Sequence, residues 1–246
     1  MINIVTVNTG GYVSHHVTNA IHQLAKRFIS GDTAHYCFTD SIYQLNPAIT
    51  AISDYHKLGG WWDKLNIFSE HMPKGRYLYL DLDCLPVGDL DPLIESYKGK
   101  LLGDEDPIHY GEQFFANHAN DDYRKIDCSL GTAFLVGESG KNKGVLAKFL
   151  QDPEQYRRDF KRHGDQVFTS YALKGKFDLL ERVMPTGHGF YSYKFDLLEQ
   201  PAPNLVGRGM PATPRLINFH GDPKWWALKH TQLVKDAMVQ AEGIEL

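Results

Sequence analysis

The segment Arg76 to Asp83 reads RYLYLDLD, an apolar run closed by two carboxylates, Asp81 and Asp83, with one residue between them. On an extended strand end, alternate side chains project to the same side, so both carboxylates can reach one hard divalent cation. An ion held there can neutralise a diphosphate and assist its departure as a leaving group. A bare Asp-x-Asp is more often an acidic strand end that faces water. Here the residues before the pair are continuously apolar, and Leu85-Pro86-Val87 continue so after it, which argues for a buried strand that delivers the acids to a sheet edge.

A second chemical cluster runs from Leu216 to Trp226, LINFHGDPKWW. The imidazole of His220 suits a divalent metal, Gly221 lets backbone approach a phosphate closely, and Lys224 supplies a mobile positive charge. Two further groups are Lys64, in Gly60-Trp61-Trp62-Asp63-Lys64-Leu65, and the turn Gly164-Asp165-Gln166 before a helix. Taken singly, each has a plain structural explanation: a loop histidine among twelve, a solvated helix lysine, a capping aspartate.

Positioning these groups requires a sheet. Ile2, Ile4, Val5 and Val7 predict a buried strand that stops at Asn8-Thr9-Gly10-Gly11. Val17, Ile21, Leu24 and Phe28 then recur at helical spacing behind a Ser14 cap. Strands are expected at 34–39, 48–53, 76–80, 132–136 and 216–219, and helices at 61–68, 143–150, 166–173 and 225–240. Alternation of this kind argues for an α/β protein with its chemistry at the carboxyl ends of the strands. Residues 187–214, rich in Gly, Pro and aromatics, read as a binding loop or lid. Without repeats or linkers, residues 1–246 are expected to form a single domain with a mixed central sheet.

Composition narrows the partners. With 26 Lys+Arg against 30 Asp+Glu, the net charge of -4 provides no global basic field for a polyanion. Cys37, Cys84 and Cys128 are too few and too scattered for a disulfide framework or a zinc knuckle. They suit a reducing cytoplasm, the expected location. No signal peptide and no transmembrane run is expected.

The ordered series of Lys64, RYLYLDLD with Gly88-Asp89-Leu90 behind it, Gly164-Asp165-Gln166 and His220-Gly221-Asp222-Pro223-Lys224 resembles glycosyltransferases of the GT-A fold, a Rossmann-like fold for nucleotide-diphospho-sugar transfer. It is most similar to family eight, which contains glycogenin and the bacterial lipopolysaccharide galactosyltransferases. The resemblance implies a metal-dependent hexosyltransferase with a nucleotide-sugar donor, usually a UDP-sugar, bound through Mn²⁺ or Mg²⁺, and retention at the anomeric carbon. It implies Asp81 and Asp83 as metal ligands, and Lys64, Asn8, Thr9 and Tyr12 as donor contacts. Asp165 and Gln166 would lie at the sugar, and Gly221 and Lys224 would close over the diphosphate. Two departures stand out. The family's late metal-binding histidine falls at Asn218 here, while His220 directly precedes Gly221; imidazole is the better ligand of the two, so His220 is assigned as the third. The usual Asn-Ser-Gly acceptor segment appears as Ser129-Leu130-Gly131.

Two alternatives accompany this reading. One is a phosphatase of the haloacid-dehalogenase type, whose nucleophilic strand also ends in Asp-x-Asp; Leu85 stands where that motif normally has Thr or Val. The other is a module that binds a sugar nucleotide or glycan without turnover. The acceptor stays open among a glycan, a lipid-linked sugar, a protein side chain and a modified nucleobase. Phe190, Tyr191, Tyr193, Trp225 and Trp226 either stack on it or belong to the core.

Overall fold

The computed structural model describes residues 1–106, 129–161, 164–193, 196, 213–222, 224–228 and 234–236. A seven-stranded sheet runs in the order β3-β2-β1-β4-β7-β6-β8. Its strands are β1 (Ile2–Asn8), β2 (Thr33–Thr39), β3 (Ile49–Ile52), β4 (Arg76–Leu80), β6 (Leu101–Glu105), β7 (Leu130–Glu138) and β8 (Phe177–Leu179). Strands β3, β2, β1 and β4 are mutually parallel, whereas β7 is antiparallel to both β4 and β6. The sheet is therefore mixed, as expected. A smaller sheet of β5 (Cys84–Pro86), β10 (Leu216–Asn218) and β9 (Phe190–Ser192) has β10 in the middle.

Strand alternation divides the core into two layers. Ile4, Leu78 and Leu80 face helix α1 (His15–Arg27) and the small sheet, packing with Val17, Ile21, Leu24, Leu85 and Ile217. Val5, Tyr77 and Tyr79 face the opposite way, toward Trp62, Phe149 and Phe168. Ser14 caps α1 as expected, its hydroxyl accepting from His16 N at 3.3 Å. Among the described residues the further α-helices are α2 (Asp91–Glu95), α3 (Gly144–Phe149), α4 (Pro153–Asp159), α5 (Gly164–Leu173) and α6 (Leu180–Val183).

Several elements depart from the sequence reading. The helix expected at 61–68 is present over Gly60–Phe68, in the 3-10 form. Its polar side chains bind outward loops: Asp63 accepts from Leu58 N and Gly59 N, and Asn66 donates to His56 O. The span expected to be a loop or lid contains β9, paired in parallel with β10, while 194–195 and 197–212 lie outside the described residues. Phe190, Tyr191 and Trp225 are buried core residues. Of the expected tail helix, Trp225–Leu228 forms a 3-10 turn and 234–236 are helical, while 229–233 and 237–240 lie outside the described residues. Cys37 and Cys84 are buried free thiols, and Cys128 lies outside the described residues. Among the described residues, no helix is long and apolar enough to cross a membrane.

Strand order places the site. The chain moves outward from β1 through β2 to β3, then returns to lay β4 on β1's other side. The carboxyl ends of β1 and β4 thus flank the point where strand order reverses, where open α/β sheets leave a crevice.

Candidate functional site

Asp81 and Asp83 sit at that crevice, but not on an extended strand. Asp81 N donates to Ala133 O at 2.8 Å, extending the β4–β7 pairing by one residue, and Cys84 N then donates to Asp81 O at 3.0 Å. This folds 81–84 into a turn that hands the chain from the large sheet to the small one. The expectation that an extended backbone aligns the two acids is corrected. The next two carbonyls are also engaged: Leu82 O accepts from Trp225 Nε1 at 2.8 Å, and Asp83 O accepts from Phe219 N at 2.9 Å. With its backbone fixed at three points, the turn presents its carboxylates to the crevice.

Around Asp81 lies a charged network. Tyr79 donates its hydroxyl to Asp81 Oδ1 at 2.5 Å, and Lys64 Nζ lies 2.7 Å from Asp81 Oδ2 and 3.2 Å from Asp165 Oδ2. Thr132, on β7, accepts from Lys64 at 3.2 Å and donates to Asp165 Oδ2 at 3.1 Å. Burial pushes the Asp81 carboxyl up to about 6, against the pull of Lys64 and with the push of Asp83. Burial also works against the Lys64 charge, but Asp165, Asp81 and Asp83 outweigh it and hold the ammonium above the ordinary lysine range. Burial, followed by Asp81, drives the Tyr79 hydroxyl well above its usual range, so it remains a proton donor.

Asp165 stands at the first turn of α5, where Gly164 at φ 52° turns the chain. A Cβ on Gly164 would lie 2.6 Å from the indole nitrogen of Trp61, so glycine is needed for the close approach as well as the turn. Gln166 is half-buried beside Asp165 and is not among the residues lining the cleft.

The late segment meets the same turn. Lys224 Nζ donates to Asp83 Oδ2 at 2.7 Å, and Gly221 occupies the left-handed region at φ 68°. The side-chain oxygen of Asn218 is buried and has no hydrogen-bond partner among the described residues. His220 Nε2 shares a 3.1 Å hydrogen bond with Ser192 Oγ, and His220 does not line the cleft. Asp81, Asp83 and His220 do not meet as a preformed triad; the set of three whose ligand atoms lie within 4.8 Å, among the described residues, is His56, Glu70 and His71.

The cleft, of about 670 Å³, is bounded by Asn8, Thr9, Tyr12, Lys64, Asp81, Asp83, Asp165, Lys224, Trp61 and Trp226 among others. Asn8 is buried, and its amide donates to Val13 O and Thr18 Oγ1, holding the turn after β1. Thr9 donates to Asp63 Oδ2 at 2.7 Å, while Tyr12 is 85% exposed and presents an open ring face. The structure thus gathers eight of the anticipated residues, namely Asn8, Thr9, Tyr12, Lys64, Asp81, Asp83, Asp165 and Lys224, in one cavity. The sequence reading missed Tyr79, Thr132 and Asp63. Tyr79 lies two residues before Asp81 on one strand and was within reach of a periodicity argument; Asp63 adjoins Lys64 in sequence, but its bond to Thr9, like the bonds of Thr132 to Lys64 and Asp165, forms only through space.

Neither a family model nor a curated protein matches the chain by sequence. By structure it is similar to the galactosyltransferase LgtC in complex with donor and acceptor sugar analogues, at TM-score 0.63 and 12% identity over 100% of this chain and 97% of that one. The glycosyltransferase GlyE of Streptococcus pneumoniae TIGR4 is similar at TM-score 0.59 and 13% identity, covering 98% of this chain and 61% of that one. The bifunctional glycosyltransferase WbbM is similar at TM-score 0.64 and 11% identity, covering 99% of this chain and 50% of that one. The chain therefore has an α/β fold of the GT-A glycosyltransferase kind. The phosphatase alternative gains nothing from these likenesses.

Proposed function

We propose that the protein is a glycosyltransferase that moves a hexose from a nucleotide diphosphate sugar, a UDP-sugar in this reading, to an acceptor hydroxyl with retention of configuration. The observation that carries the proposal is the Asp81–Asp83 turn in the crevice between β1 and β4, with Lys64 on one carboxylate and Lys224 on the other. Asn8, Thr9 and Tyr12, at the end of β1, are suited to the base, and the exposed Tyr12 ring offers it a stacking surface.

The donor chemistry of the turn fits Mn²⁺ or Mg²⁺. Two carboxylates suit a hard cation, and the ammonium that stands 2.7 Å from each is the charge such an ion would displace or share. In this reading Asp81 and Asp83 would hold the ion, and His220, bonded to Ser192 outside the cleft, would swing from that contact to act as its third ligand. When bound, it supplies neutralisation of the diphosphate charge that develops as the sugar departs.

Lys224, carried beside Asp83 on the Gly221 turn, would turn its ammonium from Asp83 to the diphosphate and stabilise the leaving group electrostatically while keeping its proton. Lys64 and Thr132 hold the Asp165 carboxylate from one side, which suits it to orienting a sugar hydroxyl, with Gln166 beside it. No side chain in the cleft is assigned as general base. The departing phosphate oxygen takes the acceptor proton in this reading, and the acceptor attacks from the same face.

The test is a donor-hydrolysis screen of UDP-, GDP- and other sugar nucleotides with Mn²⁺, followed by proton NMR of the sugar transferred from an α-linked donor. Slow release of hexose from a UDP-sugar and an α-anomeric product are expected. Binding without turnover of any donor would favour the non-catalytic module, phosphate release from a generic phosphomonoester would favour the phosphatase, and a β-linked initial product would overturn retention.

A further inference from the structure

A second group of potential ligands lies away from the cleft. His56, Glu70 and His71 each offer one ligand atom, and these atoms all lie within 4.8 Å of one another. Glu70 Oε1 is 3.8 Å from His56 Nε2 and 3.9 Å from His71 Nε2. Both separations are too long for direct hydrogen bonds, and the carboxylate oxygen stands almost equally far from two ring nitrogens. Tetrahedral zinc with bonds of about 2.0–2.1 Å separates its ligand atoms by roughly 3.3 Å, so a shift of about half an ångström brings Glu70 to ligand spacing from either ring, within a set that spans no more than 4.8 Å. The Glu70 side chain, 66% exposed, has the freedom to make that shift.

The two imidazoles have less freedom, because their backbones are tied to the same buried pair of side chains. Asn66 Oδ1 accepts from His56 N at 2.9 Å and Asn66 Nδ2 donates to His56 O at 2.8 Å, while Ser69 Oγ accepts from His71 N at 3.2 Å. Ser69 Oγ in turn donates to Asn66 O at 2.7 Å, and both residues are buried. The rings meet edge to face with centroids 5.7 Å apart. On its far side, His71 Nδ1 lies 4.0 Å from Asp54 Oδ2. That is beyond hydrogen-bond reach as it stands, but Asp54 is exposed, and a carboxylate that swings onto the second nitrogen of a ligating imidazole fixes the tautomer and orients the ring toward a metal.

We propose that His56, Glu70 and His71 bind one divalent transition-metal ion of the Zn²⁺ class, with Asp54 as a positioning residue behind His71 and a water in the fourth place. Two imidazoles and one carboxylate select Zn²⁺, Ni²⁺ or Cu²⁺ over Mg²⁺ and Mn²⁺, which prefer oxygen-rich sites. The bound ion fastens the loop carrying His56 to the end of the 3-10 helix. That stretch also presents Asp63 to Thr9, so the site stabilises one wall of the cleft without entering it.

The experiment is calorimetric titration of the untagged, chelator-stripped chain with Zn²⁺ in excess Mg²⁺, paired with thermal melts. One Zn²⁺ is expected to bind, raising Tm, with affinity about tenfold or more weaker in His56→Ala, His71→Ala and Glu70→Gln, and a smaller loss in Asp54→Asn. The same Zn²⁺ binding should persist in Asp83→Ala, which separates this site from the proposed donor site. Should the variants fold poorly, Co²⁺ absorption of the unaltered chain reports directly on nitrogen ligation in a tetrahedral field. Equal Zn²⁺ stoichiometry and affinity in the parent and in His56→Ala/His71→Ala, or octahedral all-oxygen Co²⁺ spectra, would overturn the proposal.

Discussion

Lys224 and Asp83 are 141 residues apart in sequence, and their charged groups meet at 2.7 Å. The contact arises because β10 lies antiparallel to β5, pairing Asn218 with Cys84, and the chain then curls back over the turn between β4 and β5. An anionic ligand at Asp83 would therefore find a cation already delivered by the late segment.

From that contact, Lys224→Ala should weaken UDP binding at least tenfold while changing uridine binding little, since only UDP has phosphates to lose; a tenfold loss corresponds to about 1.4 kcal/mol. Calorimetry with both ligands checks this. Equal losses would show that Lys224 acts through folding.

Asp83→Ala should abolish Mn²⁺-dependent UDP binding with the fold intact, because the Asp83 side chain faces the cleft and its backbone bond to Phe219 remains. Circular dichroism and calorimetry with Mn²⁺ provide the measurement. In parallel, His220→Ala should lower Mn²⁺ affinity and Asn218→Ala should not; the reverse order would move the third ligand to Asn218.

Asp63 accepts from Leu58 N at 2.7 Å, Gly59 N at 2.9 Å and Thr9 Oγ1 at 2.7 Å from a buried position. Asp63→Ala leaves the buried Leu58 N–H without its acceptor and frees the end of β1. Urea unfolding should show a loss of about 3 kcal/mol. Donor affinity should fall with it, since Thr9 lines the cleft.

Stability should also fall in acid through a buried histidine pair. His22 Nδ1 lies 3.0 Å from His35 Nδ1, with Thr6 on the far side of one ring and Thr33 on the other. Burial, then His35, lowers His22 to about 3, and burial, then Lys26, lowers His35 to about 4, from an ordinary 6.5. Below 6.5 the unfolded chain takes up protons that the folded chain refuses, so stability is full above that pH and is lost as pH falls toward 4 and then 3. The slope should approach about 1.4 kcal/mol per pH unit for each histidine. Denaturant midpoints at a series of pH values test this, and His22→Gln/His35→Gln should flatten the slope.

Sequence by itself determined the parts of the protein that depend on local pattern. The β-branched run from Ile2, the spacing of Val17, Ile21 and Leu24 behind Ser14, and the apolar run before Asp81 each encode burial on one face, and each formed the expected element. Residue type and order also sufficed to nominate the groups now found in one cleft. Tertiary structure alone decided their arrangement. The Asp81–Asp83 turn takes its shape from Phe219 and Trp225, more than 130 residues away, which no local period encodes. The 3-10 form of Gly60–Phe68 follows from bonds that Asp63 and Asn66 make to a neighbouring loop. His56 and His71 carry no recognisable metal-ligand spacing, and they meet only because Asn66 and Ser69 draw two loops onto one buried anchor. Side-chain contacts across long loops depend on which segments share a core, and periodicity carries no information about that.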